Sequence, residues 1–297
     1  MPLPRFEARI ERSVPGEGRL TSRQLTSGLV NDTYEVARAG RHYAVRVASA
    51  RSAEFGLDRP WECRVVAIAA AAGVGPAVRS CDPLDGLLVT DWLPGRRWSA
   101  DEIRETANIE AMTGLLRKVH AIRIPDPARR VAPITWLDGY LNAFDARHGV
   151  VGFPEGAGHW SALRTPAREL ASVLAGDGLH VPALCHGDLH RDNVIVGDEL
   201  RLVDWEYAHV SDAYWDLAGW VSNNDADDEF AAKWLEMYLA RPARPREWQH
   251  LQQSLWLFDY ICLLWNDLFV SASDRASRIR SEALAERLEK RLNPLHR

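Results

Sequence analysis

Apolar and polar positions alternate through much of the first ninety residues, and that period of two predicts strands. Arg19 to Leu25 and Tyr34 to Ala39 read as two strands, joined by the Gly- and Asn-containing turn Ser27-Gly28-Leu29-Val30-Asn31-Asp32. His42 to Ala48 alternates as a half-buried strand does. From Trp61 to Ala72 the spacing turns helical and Ala-rich, until Gly73-Val74-Gly75-Pro76 stops it. Gly86 to Asp91 is a further apolar strand, and Leu93-Pro94-Gly95 after it is a break suited to a hinge.

Beyond Pro94 the pattern is mainly helical. Ala107 to Ile122 places Met112, Leu115, Leu116 and Val119 on one side. Irregular, Pro-rich sequence runs to about Pro133, and helical spacing resumes at Trp136 to Ala146 and Trp160 to Leu174. Two short strands, Asn193 to Val196 and Leu200 to Val203, flank the turn Gly197-Asp198-Glu199. Helices then take most of 213–240 and 247–270, and a charged helix runs from Ser281 to Leu292. The expected architecture is α+β in two lobes: residues 1–92, an antiparallel sheet with one helix, and residues 93–297, larger and mainly helical.

Composition narrows the function classes. Apolar residues make up 46% and charged residues 26% of 297, ordinary for a folded soluble chain. A net charge of -5, with no basic patch or tail, argues against nucleic acid or an anionic membrane as partner. The most apolar stretch, Val65 to Ala72, is far short of the ~20 residues of a membrane span. The N-terminal segment lacks the apolar core of a signal peptide, so a cytoplasmic location is expected. Cys63, Cys81, Cys185 and Cys262 stand far apart and read as four reduced thiols rather than a zinc site. Lysine occurs only at 118, 233 and 290, so the first 117 residues contain none. The oligomeric state is left open.

The chemistry is concentrated between Leu184 and Trp220. His186, Asp188 and Asn193 stand in the order HxDxxxxN, followed by Asp204-Trp205-Glu206 and then Asp216-Leu217-Ala218. Phosphoryl transfer needs in-line positioning and charge neutralisation more than covalent help. Asp188 is suited to accept the proton of a substrate hydroxyl. Asn193 and Asp204 offer hard oxygens to magnesium, with Glu206 as an auxiliary ligand or a support behind it. His186 would brace the loop through its backbone. Each residue alone is commonly structural; the ordered set around a hairpin is far harder to obtain by chance.

This block resembles the aminoglycoside phosphotransferase and choline kinase family, distant relatives of protein kinases with a two-lobed, protein-kinase-like fold. The resemblance spans most of the chain and is thin from about 122 to 180. It implies ATP and Mg2+ as cofactors, Asp188 as base, Asn193 and Asp204 as metal ligands, and Asp216 as the residue that shapes the catalytic loop. Leu25 to Val36 looks like the family's nucleotide loop, with backbone amides near Ser27, Gly28 and Asn31 on the phosphates. Tyr43 to Val47 looks like the strand that normally presents a phosphate-binding lysine; here the residue is Arg46, similar to bacterial choline kinases. Glu62 sits where the family places the helix carboxylate that orients it. The backbone of Thr90, Asp91, Trp92 and Leu93 would receive adenine.

The acceptor implied is a small amine-bearing alcohol. Asp204-Trp205-Glu206-Tyr207-Ala208 looks like choline and thiamine kinases, where Glu follows the metal aspartate by two positions. Helical spacing puts Trp256, Tyr260 and Asp267 on one side, an aromatic and acidic face suited to a quaternary ammonium. Choline or ethanolamine is the leading expectation, with thiamine and an aminoglycoside as alternatives, and a catalytically silent nucleotide-binding module as the reading from another class.

Overall fold

The computed structural model describes residues 9–126, 128–148, 162–270 and 274–295. The chain divides into two compact units, Met1–Ile122 with Arg191–Ala208, and Arg123–His190 with His209–Arg297. The first unit holds the antiparallel strands β1 (Leu20–Ser27), β2 (Asn31–Arg38), β3 (Arg41–Ala48), β4 (Val78–Asp82) and β5 (Leu87–Asp91), in the order β1-β2-β3-β5-β4. Tyr43, Val45 and Val47 of β3 join Val36, Leu87 and Val89 in a core closed by Ile10 and Val14. Each buried valine contributes roughly 1.5–3 kcal/mol. Because side chains alternate, Arg46 leaves the opposite face of the same strand.

Helix α1 (Arg59–Ala71) begins two residues before the expected Trp61, since Asp58 caps it and Pro60 fits its first turn. The Asp58 carboxylate accepts the Trp61 amide at 2.9 Å, and the Trp61 indole donates to the Ala208 carbonyl at 2.7 Å. A disulfide joins Cys63 of α1 to Cys81 of β4, with Cα atoms 5.7 Å apart. That corrects the expectation of four thiols: Cys185 and Cys262 alone are free. The 18-residue separation of Cys63 and Cys81 carries no pairing signal, because helix-to-strand packing supplies the proximity.

Helix α2 (Thr106–His120) buries Met112, Leu115, Leu116 and Val119, the side its spacing selects. Helices α3 (Pro133–His148) and α4 (Arg164–Gly176) and strand β6 (Pro182–Cys185) follow in the second unit. The expected helix start at Trp160 lies outside the described residues. The chain next contributes the hairpin β7 (Val194–Val196) and β8 (Leu200–Leu202) to the first unit. Strand β9 (His209–Asp212) then pairs with β6. Helices α5 (Ala213–Asn223), α6 (Asp228–Leu239), α7 (Pro245–Phe269) and α8 (Arg275–Leu295) complete the second unit.

The sequence places a division at residue 92, whereas the sheet-bearing unit reaches Ile122 and takes in 191–208. Backbone pairing explains the extension. Arg96 and Val196 exchange hydrogen bonds of 3.1 and 2.8 Å, and the Leu202 amide donates to Val74 at 2.8 Å.

Candidate functional site

In the first unit, three carboxylates converge on two arginines. Arg46 pairs with Glu62 of α1 and with Asp204, which follows β8, and lies 3.9 Å from Glu206. The Arg46 side chain is only 10% exposed and that of Glu62 4%, whereas Asp204 keeps 37%. A guanidinium this buried is tolerated because two carboxylates face its fork. The absence of lysine from this stretch leaves the task to a cation that stays charged when buried.

Arg59 is the second cation, and its place just before Pro60 carries no mark of function. It donates to Glu62 at 2.7 Å, to Glu206 at 3.1 Å and to the Asn31 amide oxygen at 2.9 Å. Asn31 in turn donates to Glu206 at 2.6 Å. Burial pulls the Arg59 guanidinium down from its usual range, against the opposing charge of Glu206. Glu206 is pushed up to about 7, first by burial and then by the negative charge of Asp204.

The hairpin fixes the spacing of the two expected metal ligands. Val194 faces Leu202, and the Val203 amide donates to the Asn193 carbonyl at 3.0 Å, so Asn193 and Val203 stand opposite each other and Asp204 is next in line. Asp204 has φ 67, a left-handed conformation uncommon for a residue with a side chain and frequent where function demands a particular aim. Three carboxylates against two guanidiniums leave an excess of one negative charge when all are ionised, with hard oxygens from Asp204 and Asn193. That donor set suits Mg2+.

The turn between β1 and β2 is tight. The Gly28 amide donates to the Asn31 carbonyl at 2.9 Å, and a Cβ on Gly28 would lie 2.9 Å from that same oxygen, so only glycine fits. The Gly28 amide and the Asn31 side chain are therefore engaged inside the protein rather than directed outward. Ser27 is the last residue of β1. At the other end of the sheet, Thr90 is buried in β5, and Asp91 and Trp92 donate their amides to Ala77 and His42. The Asp91 carboxylate also takes the Arg79 guanidinium at 2.6 Å. Leu93 follows directly after these sheet bonds.

In the second unit, Asp216 of α5 is 1% exposed and its two oxygens accept the amides of His186, at 2.8 Å, and Gly187, at 3.0 Å. Gly187 adopts φ 81, which a side chain would resist, and Asp188 follows directly. The loop is thus shaped by backbone bonds to a buried carboxylate, and the His186 side chain is wholly buried. The Asp188 side chain is 36% exposed and lies 3.6 Å from the His190 ring nitrogen. Partial burial pushes its carboxyl up, but His190, His186 and Arg280 outweigh that and hold it below the ordinary range. The Asn223 amide donates to the Leu189 carbonyl at 3.2 Å and accepts from Arg280 at 3.0 Å.

The aromatic face expected on α7 is corrected. Trp256 and Tyr260 have no exposed surface and stack at 5.7 Å, and the Trp256 indole donates to the Leu288 carbonyl of α8 at 3.0 Å. They are interior packing, because α7 is covered on nearly every side. Asp267 pairs with His148 at 2.7 Å. Tyr140 of α3, which sequence reasoning missed, is half-buried and feels the charge of Asp188. Its hydroxyl is pushed up to about 12, chiefly by burial, against a hydrogen bond from Trp136. An aromatic residue on an amphipathic helix carries no mark that would have distinguished it from core.

With this geometry in hand, comparison with known proteins places the chain. The model of the phosphotransferase enzyme family, APH, matches residues 21–252, and the chain belongs to that family. No curated protein sequence matches it. It is similar to a choline/ethanolamine kinase family protein from Mesorhizobium loti, with a TM-score of 0.75 at 23% identity, over 97% of this chain and 94% of the other. Choline kinase LicA from Streptococcus pneumoniae gives 0.76 at 18% identity over 97% and 98%, and one structure of LicA contains AMP. A macrolide 2'-phosphotransferase type I gives 0.60 at 18% identity over 96% of both chains. The fold is protein-kinase-like, with a sheet-bearing N-terminal lobe and a helical C-terminal part, and the enzyme class is a kinase-like phosphotransferase. Among the described residues no helix is long and apolar enough to cross a membrane.

Proposed function

We propose that the protein transfers the terminal phosphoryl group of ATP to the hydroxyl of an amino alcohol, with choline or ethanolamine as the leading acceptors. The observation that carries the phosphotransferase chemistry is the arrest of Arg46 between Glu62 and Asp204, a buried cation fixed beside a half-exposed carboxylate. The acceptor class is supported by Glu206 two positions after Asp204.

Asp188 accepts the acceptor's proton. Its carboxyl, held low by His190, His186 and Arg280, is ionised at neutral pH and aims the hydroxyl oxygen. Asp216 keeps the loop in shape through two amide bonds, so little reorganisation is needed when the acceptor arrives. Arg46 contributes a fixed positive charge for the phosphates, and Glu62 orients it. Asp204 and Asn193 would hold Mg2+, which when bound neutralises charge on the phosphates. Glu206 supports the same loop from behind, through Asn31 and Arg59.

The test is phosphorylation of choline, ethanolamine, thiamine and an aminoglycoside in parallel, ranked by kcat/KM with and without Mg2+. An amino alcohol is expected to rank first, and Asp188→Asn is expected to lower kcat about 10²–10⁴-fold. Thiamine or the aminoglycoside ranking first replaces the acceptor. A variant equal to the parent removes Asp188 from the chemistry.

A further inference from the structure

Arg59 stands where three segments with separate tasks meet. Its acceptors are Asn31, at the end of the β1–β2 turn, Glu62, which orients Arg46, and Glu206, in the loop that carries Asp204. The Asn31-to-Glu206 bond closes a ring of three hydrogen bonds, each between 2.6 and 3.1 Å. Both heteroatoms of the Asn31 side chain belong to it. The Arg59 side chain is 14% exposed, and its position is set by the capped, Pro-containing start of α1.

The charge balance shows what Arg59 does for its neighbours. With it, two guanidiniums face Glu62, Asp204 and Glu206. Without it, Arg46 is the one cation among the described residues that faces all three, and Glu206, 3.9 Å away, is left with the neutral Asn31 amide as its close donor. Arg46 would then be held more tightly by carboxylates and be less available to an incoming phosphate. Asn31 would lose one of the two bonds that fix its side chain and, with it, the turn.

We propose that Arg59 is a positioning residue for the nucleotide: it neutralises Glu206 and ties the β1–β2 turn to the Asp204 loop, so that Arg46 and Asp204 stay available to Mg·ATP. The proposal rests on the phosphotransferase reading above and deepens its nucleotide side. A lysine at 59 keeps the charge but lacks the planar fork that reaches three acceptors at once, so it restores only part of the effect.

The test measures equilibrium binding of Mg·ATP to the full chain by calorimetry, for the parent, Arg59→Lys and Arg59→Gln, with thermal unfolding and steady-state kinetics alongside. Arg59→Gln is expected to raise the Mg·ATP Kd about tenfold or more, the usual weight of hydrogen bonds to charged groups. Arg59→Lys is expected to fall between the two, with the acceptor KM within about twofold of the parent. Should Arg59→Gln fail to fold, Arg59→Lys decides alone. Nucleotide affinity unchanged while the melting temperature drops makes Arg59 a structural strut and overturns the proposal, as does an equal rise in acceptor KM. A parent that binds Mg·ATP with Arg59-dependent affinity yet phosphorylates no acceptor sinks the amino-alcohol kinase reading and leaves this one standing. A parent that binds no Mg·ATP sinks both.

Discussion

Two buried clusters of charge, one in each unit, set arginines against carboxylates and end differently. In the sheet-bearing unit, Arg46 and Arg59 face Glu62, Asp204 and Glu206, and Asp204 keeps 37% of its side chain exposed. In the helical unit, Asp259 of α7 is 0% exposed and closed off by Ser222 of α5 and by Arg287 and Arg291 of α8, at 3.1 and 3.4 Å. Burial pushes the Asp259 carboxyl up, and those partners pull against it. The second cluster is complete: its carboxylate has no surface left to offer a ligand. Among the described residues the first sets three carboxylates against two guanidiniums, and one of the three, Asp204, reaches the surface. Incompleteness, rather than burial or charge alone, separates a site from a structural hub.

Substitutions at the two aspartates test that contrast most strongly. Asp204→Asn is expected to lower kcat/KM about 10²–10³-fold or more, by analogy with the loss of one electrostatic contact to a transition state. Its stability is expected to hold or rise, since removing a negative charge relieves an anion-rich cluster. Asp259→Ala is expected to do the reverse. It leaves two arginines without their buried partner and costs about 3–5 kcal/mol in chemical denaturation, while the folded fraction keeps its kcat. If both variants lose stability and retain activity, or both do the opposite, the distinction collapses.

The disulfide sharpens the comparison within the sheet-bearing unit. Reducing Cys63–Cys81, which closes a loop of 18 residues, is expected to lower the stability of that unit by about 3 kcal/mol on the chain-entropy account. Denaturation with and without a dithiol reductant reads it, and a Cys63→Ser chain should show no response to reductant. The Asp259 cluster has no covalent link, so the helical unit's transition should not move.

The smallest expected effect belongs to a second closed hub in the helical unit. His250 is buried between Asp177 and Asp212, with Asp212 at 2.6 Å; His180 also lies 3.7 Å from Asp212, and the Tyr214 ring is 4.5 Å away. Burial pushes the imidazole down, but the hydrogen bonds and charges of Asp212 and Asp177 outweigh it, so the net shift is upward. A raised folded value means that the stabilisation is complete below the unfolded value of about 6.5 and is lost as pH rises through the folded one. Stability measured from pH 6 upward should therefore decline, and His250→Gln should flatten that decline. A decline of the same size in the variant removes His250 as its cause.

What was legible in the sequence follows the same division. Asp188, Asn193, Asp204 and Asp216 lie within a span of 29 residues whose spacing is tied to one loop and one hairpin, so the pattern is local and readable. Arg46 was readable through the resemblance of Tyr43 to Val47 to the strand that presents a phosphate-binding lysine, in a stretch that holds no lysine. Arg59 was not, since an arginine before a proline at a helix start looks solvated, and its partners at 31 and 206 are joined only by tertiary folding. Strands β4, β6 and β9 are short, and their pairing rather than their residues defines them. The aromatic face on α7 was misread because periodicity identifies a side of a helix and cannot say whether that side is covered. The Cys63–Cys81 pairing failed for a similar reason.

The most direct test of the account follows labelled terminal phosphate from ATP in the presence of Mg2+ and an amino alcohol, for the parent, Asp188→Asn and Asp204→Asn. Label is expected on the alcohol's hydroxyl with the parent, with near-complete loss in both variants while both stay folded. Label that stays on ATP or appears only as inorganic phosphate with the parent, or that reaches the alcohol equally in either variant, would contradict it.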